Sequence, residues 1–167
     1  MLPRLPINNP RPGSATISWV GRTLFCKGMN SILPHAMDSF WQSHRVKTVV
    51  GVAVIGDGRV LAAYRPDPGG GWEFPGGKVE PGETDEQAAV RELREELDLE
   101  IKVGDALGPA VNISSEYQLH VYLATVVSGD PVLREHSELR WFAAAELDET
   151  GWLVPDRPFV RELRTRL

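Results

Sequence analysis

Residues 46–56, V-K-T-V-V-G-V-A-V-I-G, form a nearly unbroken apolar, β-branched run, the pattern of a strand buried on both faces. Asp57-Gly58 follows as a hairpin turn signal, and 59–65 reads as the returning partner. Two prolines and three glycines at 66–71 mark a loop, and 72–74 reads as a short strand that Pro75-Gly76-Gly77 bends away. The period then changes. Ala89, Val90, Leu93 and Leu97 recur at helical spacing, and Thr84 followed three residues later by Gln87 is a capping-box signature, so a helix is expected from about residue 85 to near 97. Two further strands are expected at 101–113 and 116–127, the second alternating with Leu119, Val121 and Leu123 on one side. A short strand at 139–142 and an amphipathic helix at 156–167 complete the pattern. Strands on both sides of a helix imply an α/β fold, a mixed sheet covered by helices.

The polar face of the central helix carries the chemistry. At 100° per residue, Glu95 and Glu96 fall about 60° and 40° to either side of Glu92, so three carboxylates share a stripe about 100° wide. Like charges at these spacings disfavour a free-standing helix. A hard divalent cation with a preference for oxygen ligands reverses that sign. A solvated acidic helix face is the plainer explanation of R-E-L-R-E-E-L alone, but here a glycine loop precedes it.

The whole stretch resembles the Nudix box: Gly, five residues, Glu, seven residues, then Arg-Glu-apolar-any-Glu-Glu-any-Gly-apolar. Gly77, Glu83, Arg91, Glu92, Leu93, Glu95, Glu96 and Leu99 match it, and Asp98 stands where the family has Gly. A chance match at these positions is expected on the order of once in a million chains of this size. Asp98 falls just past the helix end, where a left-handed residue is usual and Asp is tolerated at some steric cost, so the departure touches helix termination and not the carboxylate stripe.

The resemblance implies a Nudix α/β/α sandwich with a mixed β-sheet over roughly 46–167 and cleavage of a diphosphate linked to another group. It implies Mg²⁺, with Mn²⁺ as the alternative, held by Glu92, Glu95, Glu96 and the Gly77 carbonyl, while Glu83 and Arg91 orient the site. Glu135, six residues before Trp141 in R-E-H-S-E-L-R-W, has the spacing of the MutT-like loop glutamate; whether Glu92 or Glu135 is the general base stays open. Lys78 and Arg65 match MutT-like phosphate or nucleotide contacts. W-E-F-P-G-G-K-V-E-P-G-E-T resembles nucleoside triphosphate pyrophosphohydrolases, among them 8-oxo-dGTP hydrolases that sanitise the nucleotide pool and CTP or dCTP hydrolases. Asp156, in V-P-D-R-P, stands where MutT-like 8-oxoguanine readers carry asparagine; ionised Asp only accepts hydrogen bonds, which favours cytosine N4, with guanine's amino group as the competing donor. Capping of the terminal helix is the other reading of Asp156. Tyr117, 18 residues after Leu99, is a position that accompanies dinucleoside polyphosphate cleavage in some relatives. The alternatives are a non-catalytic nucleotide-binding regulator, disfavoured because no box carboxylate is lost, and a Nudix enzyme for another nucleoside diphosphate derivative. His120 and His136 belong to no evident constellation, and Trp72, Trp141 and Trp152 read as core packing near the pocket.

Composition bounds the rest. The 167 residues are 42% hydrophobic and 25% charged, enough for one domain with a core. The net charge of −5 argues against binding duplex nucleic acid, and no apolar run reaches the length of a membrane span. A single cysteine, Cys26, excludes an internal disulfide and fits a reduced, cytoplasmic setting. A monomer or homodimer is expected. Residues 1–45 are basic, rich in proline and without sustained periodicity, and are expected to be an N-terminal extension outside the core, with 46–167 as the Nudix domain. Met37 reads as the start of the working domain; removal of residues 1–36 is expected to leave solubility and turnover intact, and an insoluble or inactive product would show that the extension packs on the domain or forms an interface.

Overall fold

The computed structural model of the protein describes residues 17–20, 23–26 and 46–167, and the chain divides into two compact units, Met1–Ser43 and His44–Leu167. In the first unit, β1 (Ile17–Val20) and β2 (Thr23–Cys26) pair antiparallel, Ile17 opposite Cys26 and Val20 opposite Thr23. The sequence showed no element there, because two four-residue strands are too short to establish a period.

The second unit is built on β3 (Lys47–Gly56), which runs parallel to β8 (Tyr117–Ser128) from Lys47 opposite Tyr117 to Ile55 opposite Thr125. β4 (Arg59–Tyr64) pairs with β3 only at the turn, Ile55 with Val60 and Gly56 with Arg59. It then leaves β3, pairing along its length with β9 (Glu138–Ala143) and, at its far end, with β5 (Trp72–Glu73). The chain after β5 fills the edge that β4 vacates. Val52 N–H donates to the Pro75 carbonyl (2.8 Å), Val50 N–H to the Gly77 carbonyl (2.8 Å) and Val79 N–H to the Thr48 carbonyl (3.0 Å). The glycine loop is thus an irregular extension of the sheet, with little freedom to drift. β6 (Glu100–Ala106) and β7 (Val111–Asn112) both pair with β8, giving seven strands in a mixed sheet.

Alternation along β3 explains its uninterrupted apolar sequence. Val50, Val52 and Val54 pack against Ala88, Ala89, Leu93 and Leu97 of α1 (Asp85–Leu97). Ala53 on the opposite face joins Phe74, Leu119 and Val121 in a second cluster with Phe159, Val160 and Leu163 of α2 (Arg157–Leu163). Both faces are covered, as the sandwich requires.

Two sequence expectations need correction. The strand expected at 101–113 is two strands, β6 and β7, because Gly108-Pro109 bends the chain and Pro109 has no N–H for the ladder. The terminal helix spans only 157–163, with turns after it. The Thr84 cap is as expected: its hydroxyl accepts from Gln87 N–H (3.2 Å), and the Gln87 side chain accepts from Thr84 N–H (2.9 Å).

α1 ends on Asp98 at φ 61° and ψ 29°, left-handed, with its N–H directed at the Arg94 and Leu93 carbonyls. A non-glycine residue in this conformation costs about 1–2 kcal/mol. Asp98→Gly relieves that cost, loses the exposed Arg134–Asp98 pair (3.2 Å), worth about 0–1 kcal/mol, and frees the unfolded chain by about 0.4–1 kcal/mol. The midpoints of these ranges leave a net gain of about 0.3 kcal/mol, seen as a slightly higher urea midpoint at unchanged slope. A lower midpoint would show that the ion pair outweighs the strain.

Candidate active site

The glycine loop and α1 meet at two places. A Cβ on Gly76, at positive φ, would overlap the Val50 carbonyl, so that position is closed to side chains, and one on Gly77 would push the Glu92 carboxylate aside. Glu92 therefore lies directly on the loop backbone. Gly76 N–H donates to Glu96 Oε2 (3.2 Å), which aims a second helix carboxylate at the same loop.

Arg91 ties loop and helix together. Its Nε and Nη2 reach the two oxygens of Glu83 at 2.7 and 2.9 Å, and Nη2 also donates to the Lys78 carbonyl (3.0 Å). Nη1 meets Glu92 Oε1 at 2.9 Å and Glu95 Oε2 at 3.3 Å. The bidentate bond from Arg91, helped by Glu80 N–H, holds Glu83 down at about 2, and Arg91 itself is shifted up by Glu83 and Glu92. Among the described residues, no three carboxylate, His or Cys groups already stand in metal-ligand geometry.

The donor set nonetheless suits a hard divalent cation. Glu92, Glu95 and Glu96 offer only oxygen, and the Gly77 carbonyl keeps one lone pair after accepting from Val50 N–H. Glu96 is buried, and its carboxyl is pushed up to about 7, chiefly by burial, with His136 opposing and Glu92 and Glu135 adding to the rise. A cation bound at this carboxyl would have to displace its proton.

A second cluster adjoins the first. Arg65 pairs bidentately with Glu73, Nε to Oε1 at 3.0 Å and Nη2 to Oε2 at 2.8 Å, so this expected phosphate contact already has a carboxylate partner. His136 Nε2 shares Glu73 Oε1 at 3.1 Å, while its Nδ1 is buried without a partner. The expectation that His136 belongs to no constellation is therefore corrected. His120 has acidic company too: its Nδ1 lies 2.7 Å from Asp85 Oδ2, which also accepts from the Tyr122 hydroxyl at 2.9 Å. Glu73 and His136 were missed because they lie 63 residues apart in the chain and neither falls in the box.

Asp156 is only 4% exposed, and its Oδ1 accepts from Phe74 N–H at 3.1 Å. Although it stands at the start of α2, its side chain makes no capping bond, so capping does not account for it. Burial pushes its carboxyl up to about 7, opposed by the Phe74 bond and Arg65 and reinforced by Glu73. Lys78, exposed on the loop, places its ammonium 5.5 Å from the Tyr117 ring centroid, with Lys47 5.6 Å from the same ring. The tryptophans pack: Trp72 lies edge-on to Tyr64 and Phe142, Trp152 lies on Phe74 and Phe142, and Trp141 joins the α1-side cluster.

Comparison with known proteins places this arrangement in a wider set. The NUDIX domain family matches residues 45–163. The candidate 8-oxo-dGTP diphosphatase 2 of Mycobacterium tuberculosis strain H37Rv is 39% identical over 125 residues, 71% of this chain and 89% of that protein. The CTP pyrophosphohydrolase of Escherichia coli K12 is 41% identical over 103 residues, 59% of this chain and 76% of that protein. The solution structure of the E. coli ORF135 protein superposes with a TM-score of 0.64 at 35% identity, covering 74% of this chain and 92% of that one.

Proposed function

The chain belongs to the NUDIX family, on its MutT-like branch, and we propose that it cleaves a nucleoside triphosphate to the monophosphate and pyrophosphate with Mg²⁺ or Mn²⁺. The substrate is a cytosine nucleotide, CTP or dCTP, or an oxidised purine nucleotide such as 8-oxo-dGTP. The observation that carries this reading is the closure of Glu92 and Glu96 onto the Gly76-Gly77 backbone, locked by Arg91. The names of the two curated relatives support the two substrate classes.

The residues that would hold the cation are Glu92, Glu95, Glu96 and the Gly77 carbonyl. When bound, the cation supplies charge screening, polarisation of phosphorus and a lowered pKa for water. The chain's own groups do the rest. Lys78 and the free edge of the Arg65 guanidinium attract the phosphates. The Asp156 carboxyl, held through one oxygen by Phe74 N–H, meets the base with the other. Glu92 or Glu135 accepts the proton of the attacking water, and Glu83 with Arg91 keeps the loop and helix carboxylates in register.

The test is product analysis with CTP, dCTP, dTTP, 8-oxo-dGTP and a sugar nucleotide, in Mg²⁺, Mn²⁺ or EDTA. Monophosphate and pyrophosphate are expected from a cytosine or oxidised nucleotide, and none in EDTA. Release of orthophosphate with a diphosphate, or cleavage of the sugar nucleotide alone, would overturn the reading.

A further inference from the structure

We propose that His136 is a positioning residue that fixes the Glu135 loop to the strand feeding the glycine loop, through its hydrogen bond to Glu73. The inference rests on the reading of the chain as a triphosphate pyrophosphohydrolase with Glu135 acting at the reacting phosphate.

The loop between β8 and β9 has few holds. Val132 N–H donates to the Leu97 carbonyl (2.9 Å), and Arg134 meets Asp98 at 3.2 Å through side chains that are both about half exposed. Exposed pairs of that kind hold a loop weakly. Val132 and Leu133 are themselves exposed, so no apolar side chain roots this part of the loop. Of the seven residues from 132 to 138, His136 alone is not exposed. Its side chain is 8% exposed and the partner Glu73 side chain 11%, so this bond is shielded from water. Ser137 continues the anchor, its N–H and hydroxyl both reaching the Tyr64 carbonyl, at 3.0 and 3.2 Å.

The anchor point matters as much as the bond. Glu73 ends β5, four residues before Gly77, and its two oxygens also hold Arg65. Fixing His136 to Glu73 therefore fixes Glu135, the adjacent residue, to the strand that sets the position of Gly76 and Gly77. The residue after the strand, Phe74, holds Asp156 through its N–H. Packing alone does not ask for histidine here. Its Nδ1 is buried without a partner, a cost that an apolar side chain of similar volume avoids.

The experiment compares His136→Met, which keeps volume but cannot donate, with His136→Gln, whose amide can still reach Glu73, and with Glu135→Gln and the double variant His136→Met/Glu135→Gln. His136→Met is expected to lower kcat about 10- to 100-fold with KM changed by less than about threefold. His136→Gln should recover most of that loss. In the Glu135→Gln background, His136→Met should cost little further, because it acts through Glu135. Amide exchange supplies a readout apart from turnover: Ser137 N–H should exchange faster in His136→Met and at the wild-type rate in Glu135→Gln. An equal loss of kcat with and without Glu135 would reduce His136 to a fold-stabilising residue and overturn the proposal. Wild-type protein inactive on every triphosphate would defeat the functional reading; exchange at Ser137 would then still decide the anchor, and unchanged protection in His136→Met would refute it.

Discussion

Glu96→Gln is expected to lower turnover by about two to four orders of magnitude and, at the same time, to stabilise the metal-free fold. The first effect follows from removing a ligand charge with almost no change in volume: several kcal/mol of transition-state charge stabilisation depend on the cation, and each 1.4 kcal/mol is about tenfold in rate. The second follows from burial. The Glu96 carboxyl is pushed up from 4.5 to about 7, so the folded chain binds a proton between those values that the unfolded chain does not. Stability contributed by this group is therefore present below about pH 4.5 and lost as pH rises through about 7. At pH 8 the ionised carboxylate disfavours folding by up to about 3 kcal/mol, at 1.36 kcal/mol per unit. Glutamine removes the charge, and its carbonyl can still accept from Gly76 N–H. Urea titrations in EDTA should thus show a larger gain for Glu96→Gln at pH 8 than at pH 5. Near wild-type hydrolysis in Mg²⁺ would sink the assignment of Glu96 to the cation face.

Much of this site was legible because its parts are local. Gly77 through Leu99 lie within one loop and one helix, and helical spacing alone places Glu92, Glu95 and Glu96 on a common stripe. The β3 strand was equally plain, since a strand covered by helices on both faces is apolar through its buried stretch, Val50 to Val54. What escaped was set by chain separation. Glu73 looks like one acid in a short strand, and His136 like one histidine in a loop; only the pairing of β4 with both β5 and β9 brings them together. The Gly108-Pro109 break was visible as a turn dipeptide but lay inside an otherwise strand-like run, where register with β8 decides whether the strand continues. Arg65 was expected as a phosphate contact without a carboxylate partner in view, because that partner, eight residues on, belongs to the next strand.

The sharpest expectation for specificity concerns Asp156, whose carboxyl lies at about 7 instead of 3.8. At neutral pH both forms are then populated, and they present different groups to a base. Oδ1 is committed to Phe74 N–H, so Oδ2 is the oxygen that would meet a ligand. Ionised, Oδ2 only accepts and suits the N4 amino group of cytosine. Protonated, it donates and suits a carbonyl oxygen such as O6 of 8-oxoguanine. The ratio of kcat/KM for CTP over 8-oxo-dGTP should therefore rise as pH increases through about 7, with Mg²⁺ saturating throughout. Asp156→Asn keeps the acceptor for Phe74 and offers a donor at every pH, so the pH dependence of the ratio should vanish and the preference should move toward 8-oxo-dGTP. Losing a hydrogen bond at a buried site built for it can shift discrimination by orders of magnitude. The variant should also gain stability at pH 8 relative to pH 5, for the same reason of sign as Glu96→Gln. If stability changes in this way while the ranking of CTP, dCTP, dTTP and 8-oxo-dGTP stays as in wild type, the buried carboxyl is a structural group, and the base is read elsewhere in the pocket.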